Sequence, residues 1–379
     1  MAPYVIVTGD FVRTGGMDMA NLALASYLAE RGAELHLVAH RVDTGLYAYS
    51  NVRIHSVSKP LNSYLLGSPM LDRVGRTWAA KIAARRGRVV VNGGNCSWGD
   101  INWIHYVHAA HTPQASGQAL YRIKTEIGHH RALTSERRAL ARARLVLCNS
   151  HRTRQDIIER LGVAEDRVKV VYYGSDPKRF SPITPQERQE ARDRLGLGNR
   201  RPLVAFVGAL GDRRKGFDTL FKAWQTLCED KSWDCDLIVI GAGAELNGWK
   251  RQARENNLTG RIKFLGFRQN VHEVLAACDA LAHPARYEAY GLVVREALCR
   301  TLPAIVSADA GVAEHYDGAL RQLLIQDPNE PDEICERLWD WRRNMYTIKE
   351  QVAPLSNSLR SHTWEAMAAQ MIRLIEARN

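Results

Sequence analysis

The sequence predicts an α/β protein built from two doubly wound domains, and three observations carry that prediction. Short apolar, β-branched runs alternate with longer helical patterns along the chain, which is the rhythm of a parallel sheet covered on both faces. The rhythm occurs twice, in two halves. Between the halves, over 174–202, breaker residues gather (Pro177, Pro182, Pro185, Gly196 and Gly198) among several charges, as expected of a join. A length of 379 residues also suits two domains at roughly 150 residues each.

In the first half the expected strands are 4–8, 34–39, 52–56, 89–92, 103–107, 145–149 and 168–172, with helices such as 19–31 and 152–161 between them. In the second half they are 203–207, 236–240, 262–265, 280–283, 303–306 and 321–324, joined by helices such as 217–228 and 271–278. A last helix over 363–378 follows a weakly patterned stretch, 353–361.

Composition excludes several classes. With 45% hydrophobic and 25% charged residues the chain reads as a soluble globular protein. No apolar run reaches the roughly 18 residues of a membrane helix. The first nine residues lack the basic region and long apolar core of a signal peptide, and read as a buried strand ending at a glycine turn. Seven scattered cysteines, an odd number with no Cys-x-x-Cys, argue against a disulfide framework or a zinc site and for a reduced, cytoplasmic setting.

The formal net charge is +11, and 121–160 holds ten Lys or Arg against four acidic residues. That segment suits either a solvated helix face or attraction to an anionic membrane or phosphate-bearing acceptor. Zinc-finger spacing, RNA-recognition aromatics and a basic-region zipper are all missing from the sequence, so no nucleic-acid partner is expected.

The densest signal is the run from Glu288 to Glu296. Two glutamates with seven residues between them bracket a glycine turn at Gly291 that leads into a helical pattern. The first N–H groups of a helix lack intrahelical partners and sit at the positive end of its dipole, so they suit a phosphate. Carboxylates on either side accept hydrogen bonds from hydroxyls. Phosphate plus polyol describes a nucleotide sugar.

This run, with Pro284, Tyr290, Gly291, Ala297 and the following Leu302 to Ser307, resembles the Glu–seven–Glu signature of retaining glycosyltransferases of family four. The resemblance implies the GT-B fold, two Rossmann-like domains facing across a cleft. It places an acceptor-binding domain at 1–176, a donor-binding domain at 177–357 and a C-terminal helix, 358–379, that crosses back to the first. It assigns Glu288 to the donor sugar and Glu296 to the nucleotide ribose, with Tyr290, Gly291, Leu292 and Val293 lining the donor.

The loop from Gly208 to Gly216 resembles the family's diphosphate loop, with Arg214 and Lys215 as the clamp. Fixed cations there stabilise the charge that the leaving diphosphate gains. Many relatives carry arginine where this chain has Ala209, so Arg213 is the alternative to Arg214. Gly15 and Gly16 follow the first strand and let a ligand approach the backbone. The family has a loop there near the donor phosphates and acceptor. It also has a histidine on the sugar; His108 fits that role best and His111 is the alternative. Strand alternation places His105 and Val107 on one face and His108 near the strand's end. Phe267 falls beside the nucleobase, and Gly311 and Glu314 near the sugar pocket. Thr301 stands where relatives usually have glycine, and would be strained if that position needs positive φ.

The sequence near Gly241 and Gly243 lacks the third glycine of a dinucleotide fingerprint, having Leu246 there. No Asp-x-Asp pair stands in a plausible metal position. The resemblance therefore implies retaining, metal-independent transfer with no cofactor. The donor is a nucleotide sugar, UDP- or GDP-linked, and the acceptor a glycan, lipid-linked or small-molecule hydroxyl. It further implies polysaccharide or lipopolysaccharide biosynthesis, in the cytoplasm or peripherally at the inner membrane face. A sugar-nucleotide epimerase or phosphorylase on the same architecture, or a non-catalytic nucleotide- or glycan-binding partner subunit, stays open.

Overall fold

The computed structural model describes residues 2–114, 119–198, 201–211 and 213–377; Asp212 of the diphosphate loop and Arg378 of the expected last helix lie outside them. The chain forms two compact units, one of Met1–Thr112, Glu126–Gly174 and His362–Asn379, the other of Pro113–Thr125 and Ser175–Ser361.

The first unit runs β1 (Tyr4–Val7), β2 (Asp10–Phe11), α1 (Gly16–Glu30), β3 (Leu35–Ala39), β4 (Arg41–Val42), β5 (Val52–Ser56), α2 (Tyr64–Ala84), β6 (Arg88–Asn92), β7 (Ile101–Ile104), α3 (Ala119–Arg142, of which the part from Glu126 belongs here), β8 (Leu145–Cys148), α4 (His151–Leu161) and β9 (Val168–Val170). Seven strands pair in parallel in the order β5-β3-β1-β6-β7-β8-β9, while β2 and β4 pair separately. The strands are short and β-branched because both faces are covered. Val5, Val7, Val89 and Val91 meet Leu71, Ala79 and Ile82 of α2. Ile104, Val146 and Cys148 meet Leu140 of α3 and Ile157 of α4. The order reverses between β1 and β6, which is where doubly wound sheets open a crevice at their carboxyl ends. The C-terminal helix, Trp364–Glu376, is capped by Thr363 accepting from Ala366 N at 3.2 Å and packs against α1.

The second unit holds α5 (Pro185–Arg194), β10 (Leu203–Val207), α6 (Phe217–Glu229), β11 (Asp236–Ile240), α7 (Leu246–Glu255), β12 (Ile262–Gly266), α8 (Val271–Ala276), β13 (Ala280–His283), α9 (Leu292–Cys299), β14 (Ala304–Ser307), β15 (Leu324–Ile325) and α10 (Pro331–Ser361). Its six parallel strands run β12-β11-β10-β13-β14-β15, with the reversal between β10 and β13. Trp224, Trp233 and Trp341 sit in one continuous core under the helices.

Two Rossmann-like domains with parallel sheets are thus present, and the local differences have physical causes. The strand expected over 103–107 spans Ile101–Ile104 instead, paired to β6 and β8, so His105 falls beyond its end. The strand expected over 321–324 is mostly a 3-10 turn, Gly318–Leu323, with pairing only from Leu324. A short apolar run alone does not separate these states. The stretch 353–361 belongs to α10, where Val352, Ser356 and Leu359 form a buried face despite Pro354 within the helix. Among the described residues no helix is long and apolar enough to cross a membrane, and all seven cysteines are free.

Candidate active site

A cluster of charged side chains lies at the reversal point of the second unit. Lys215 follows β10 through a glycine-bounded loop; His283 ends β13, and Glu288 follows five residues later. The two parallel strands bring these residues together. Glu288 Oε2 accepts from Lys215 Nζ and from His283 Nε2, the latter at 2.9 Å. Burial opposes the charge on Glu288, but the Lys215 ammonium and the His283 hydrogen bond outweigh it and hold the carboxyl well below the usual range. Burial, with Lys215 nearby, pushes the His283 imidazole down. An ionised carboxylate only accepts, so Nε2 of the neutral ring carries the proton. Its Nδ1 is buried without a partner among the described residues.

The loop geometry depends on glycine at 216, whose φ is 70°, and an added Cβ there would stand 1.8 Å from Pro284 O. Arg286 ties the same two segments. It pairs with Asp218 at 2.7 and 2.9 Å and donates to Arg213 O at 2.6 Å. Arg214 donates to Tyr287 O at 3.2 Å, beside the Lys215–Glu288 pair. Arg213 turns away to Glu245 at 3.4 Å, so of the two alternatives Arg214 is the one placed at the cluster.

Helix α9 starts at Gly291, its N-cap. Leu292, Val293 and Glu296 are its partly open positions, Glu296 lying four residues after Leu292 and three after Val293 and so on their side of the helix, while Val294, Arg295, Ala297 and Leu298 are buried. Burial raises the Glu296 carboxyl to about 7, with Arg179 pulling the other way. Tyr290 points into the fold, where its hydroxyl accepts from Arg295 Nη1 at 2.8 Å. Backbone N–H groups of Gly311 and Val312 bind the carbonyls of Glu288 and Tyr290, at 3.1 and 2.7 Å. This fixes the turn after β14 against the glutamate loop, with Glu314 in the same turn. Phe267 follows β12 and is 69% exposed.

In the first unit Gly15 caps α1 and is exposed, with Gly16 as the first helical residue. Asp18 in that first turn is raised to about 6 by burial and by Asp10. His108 opens a 3-10 turn, His108–Ala110, and His111 closes it. Burial and His129 push His108 down to about 4, so its ring is neutral. His105 is an interior residue. Its ring bonds Tyr173 OH and Asn92, and burial lowers it to about 3. Asn92 continues to Asn21 at 2.8 Å and Asn21 to Thr8 at 3.0 Å, a neutral chain at the reversal point of this sheet.

Sequence reasoning missed His283, Arg286 and Glu136. A histidine ending an apolar strand reads as core and an arginine in a turn as surface. Glu136 lies in a basic helix with no local signal. Only the fold brings each to its partner.

Two family models match the chain. Glycosyltransferase Family 4 covers residues 14–179 and Glycosyl transferases group 1 covers 187–351. A D-inositol 3-phosphate glycosyltransferase of Corynebacterium glutamicum is 27% identical over 97% of this chain and 92% of its own length. The lipopolysaccharide glucosyltransferase WaaG of Escherichia coli is 26% identical over 58% of each. Among solved structures, sucrose-phosphate synthase of Thermosynechococcus elongatus superposes with a TM-score of 0.75 at 20% identity, covering 100% of this chain and 99% of that one. The crystal structure of WaaG gives 0.72 at 19%, covering 98% and 99%.

Proposed function

Because the chain is a glycosyltransferase of group 1 with the GT-B fold, we propose that it moves a sugar from a nucleotide-sugar donor to an acceptor hydroxyl, with retention of anomeric configuration and without a metal ion. The observation that carries this reading is the shared oxygen of Glu288, held by Lys215 and His283 at the carboxyl ends of β10 and β13. With Oε2 held, Oε1 of an ionised carboxylate is left to accept a sugar hydroxyl. Lys215 and Arg214 supply positive charge for the diphosphate, and the first N–H groups of α9 lie between Glu288 and Glu296 in the chain. Glu296 takes the ribose hydroxyls.

The step itself is one exchange of bonds. The anomeric carbon–oxygen bond to the diphosphate breaks as the acceptor oxygen bonds to the same face of that carbon. The acceptor proton passes to the departing phosphate oxygen. No nucleophilic side chain is required. The charge gained by the diphosphate falls on Lys215 and Arg214, each charge-assisted hydrogen bond contributing about 1.5–3 kcal/mol. His108 takes the far side of the sugar.

Structural neighbours solved with UDP, UDP-glucose or ADP support a nucleoside diphosphate sugar as donor. The inositol phosphate relative and the basic segment 121–160 favour an anionic acceptor over a neutral glycan.

A thermal-shift panel of UDP, GDP, ADP, CMP and NAD, each with and without EDTA, tests the donor site. A ligand at about a hundred times its dissociation constant stabilises by about 2.7 kcal/mol. One nucleoside diphosphate should raise the melting temperature, equally with EDTA. A shift with NAD alone, or one abolished by EDTA, would overturn the reading.

A further inference from the structure

Helix α3 carries six Lys or Arg against two acidic residues, yet its Glu136 is only 1% exposed. The side chain reaches 28 residues back along the chain. Oε1 accepts from His108 N at 2.9 Å, and Oε2 accepts from Ala109 N at 3.2 Å. These are the first two amides of the turn His108–Ala110. At the start of such a turn the amides have no partner within it, so an unfilled position would leave part-buried donors unpaired.

Two further observations show that the contact is built into the fold. At residue 94 a Cβ would stand 2.8 Å from Ser135 Cβ and 3.1 Å from Glu136 N, so the chain carries glycine where α3 comes closest. Two turns before Glu136 on the same helix, His129 brings its ring to 6.4 Å from the His108 ring, centroid to centroid. One helix therefore grips the turn by its backbone and meets the imidazole by its side.

The geometry points to Glu136 as the positioning residue for His108: its carboxylate clamps the two amides that aim the imidazole, without itself touching the sugar. This rests on the role given to His108 under the proposed reaction. A neutral turn closed by water would leave the ring free to swing with the loop. Two hydrogen bonds to the two oxygens of one buried side chain fix the turn in a single orientation, which is what a donor-sugar contact needs.

The test uses the full chain with E136Q, E136A and H108A. The Gln side chain keeps one accepting oxygen and turns an NH2 toward the other amide, so E136Q loses one bond and E136A loses both. Turnover should fall about tenfold for each lost bond. The dissociation constant for the nucleoside diphosphate should stay within about twofold, because Lys215, Arg214 and Glu296 belong to the other unit. Hydrogen exchange at the amides of 108 and 109 should quicken in the same order. The double variant H108A/E136Q should be no worse than H108A alone, since both remove one function.

Loss of nucleotide affinity in step with turnover would mark a general folding role and overturn the proposal. So would wild-type turnover in a folded E136Q or E136A. If H108A loses turnover and the Glu136 variants do not, the clamp fails alone. If H108A keeps full turnover, the His108 assignment fails first and the clamp falls with it. Should E136A not fold, E136Q retains the shape of the side chain and carries the test.

Discussion

Glu288 and Glu136 are carboxylates at the carboxyl end of a parallel sheet, one in each unit, the first 13% exposed and the second buried, and their charges are set in opposite ways. Glu288 is partnered by side chains, one of them a cation, and lies well below the ordinary range. Glu136 is partnered by two backbone amides, and burial raises it to about 7 in spite of them. Both accept two hydrogen bonds. The difference is that Lys215 carries a full charge and an amide carries a dipole. At Glu136 the two amide bonds do not offset burial, whereas at Glu288 the Lys215 charge, with the His283 bond, does. At these two places the second unit thus holds charge, and the first holds shape. Its histidines at 105 and 108 are neutral, and its reversal point is spanned by Asn and Thr side chains.

The largest expected effect tests the charged side of that contrast. Glu288→Gln should cut turnover by about 10²-fold or more, as loss of one oriented transition-state contact does. Nucleoside diphosphate affinity should hold or improve, because Lys215 no longer has a carboxylate competing with the diphosphate. Steady-state kinetics with calorimetry of the nucleotide separates the two. Turnover within twofold of wild type would remove Glu288 from the chemistry and leave the pair as a structural bridge.

The pH dependence of stability sharpens the contrast further. Glu288 has its folded pKa below the ordinary value of 4.5, so its contribution is present above that value and is lost only as pH falls through the folded pKa. Between pH 5 and 8 the gap between wild type and Glu288→Gln should be flat. Glu136 has its folded pKa raised from 4.5 to about 7, so its favourable contribution is complete below 4.5 and is lost as pH rises through about 7. The charged groups near it are Arg137 on its own helix, with neutral His108 beyond the amides and His129 one face along. Relative to Glu136→Gln, the wild type should lose several degrees of melting temperature between pH 5 and 8, at about 2–4 °C for each kcal/mol in a domain of this size. Parallel melting curves for the wild type and this variant over that range would dissolve the contrast.

The two sites also differ in how far the sequence reveals them. Glu288, Gly291 and Glu296 lie within nine residues, and Lys215 precedes a glycine that a close backbone approach demands. Motifs of this kind are local, so composition and spacing expose them. The alternation that marks both sheets is local too, and the parallel order follows from it. The His108 clamp is not local. His108 and Glu136 are separated by residues that no periodicity links to a function, and a lone glutamate among arginines reads as solvated. His283 is hidden for another reason. It continues the apolar pattern of β13 by position, and only the return of the chain at Glu288 gives its Nε2 a partner. The early end of β7 at Ile104 turned His105 inward, a shift of a few residues that alternation alone does not register.

The smallest effect sets the scale of strain that has nothing to do with charge. Thr301 lies just past α9, the helix that carries Glu296, and has φ of 56°. Leu302 N bonds Ala297 O at 3.0 Å and Thr301 N bonds Leu298 O at 2.9 Å, the paired closure that normally takes glycine at this position. A left-handed β-branched residue costs about 1–2 kcal/mol. Thr301 recovers part of this through its Oγ1 bond to Ser356 Oγ at 3.2 Å, about 0.5–1.5 kcal/mol in general. Thr301→Gly should therefore stabilise the chain by no more than about 1 kcal/mol and leave turnover alone. Thr301→Ala, which loses the hydroxyl and keeps the left-handed backbone, should lower the melting temperature. If both variants melt below wild type, the hydroxyl outweighs the strain. The closure would then be held by its contact with α10, and the shifts assigned to Glu288 and Glu136 would have to be read against that larger background.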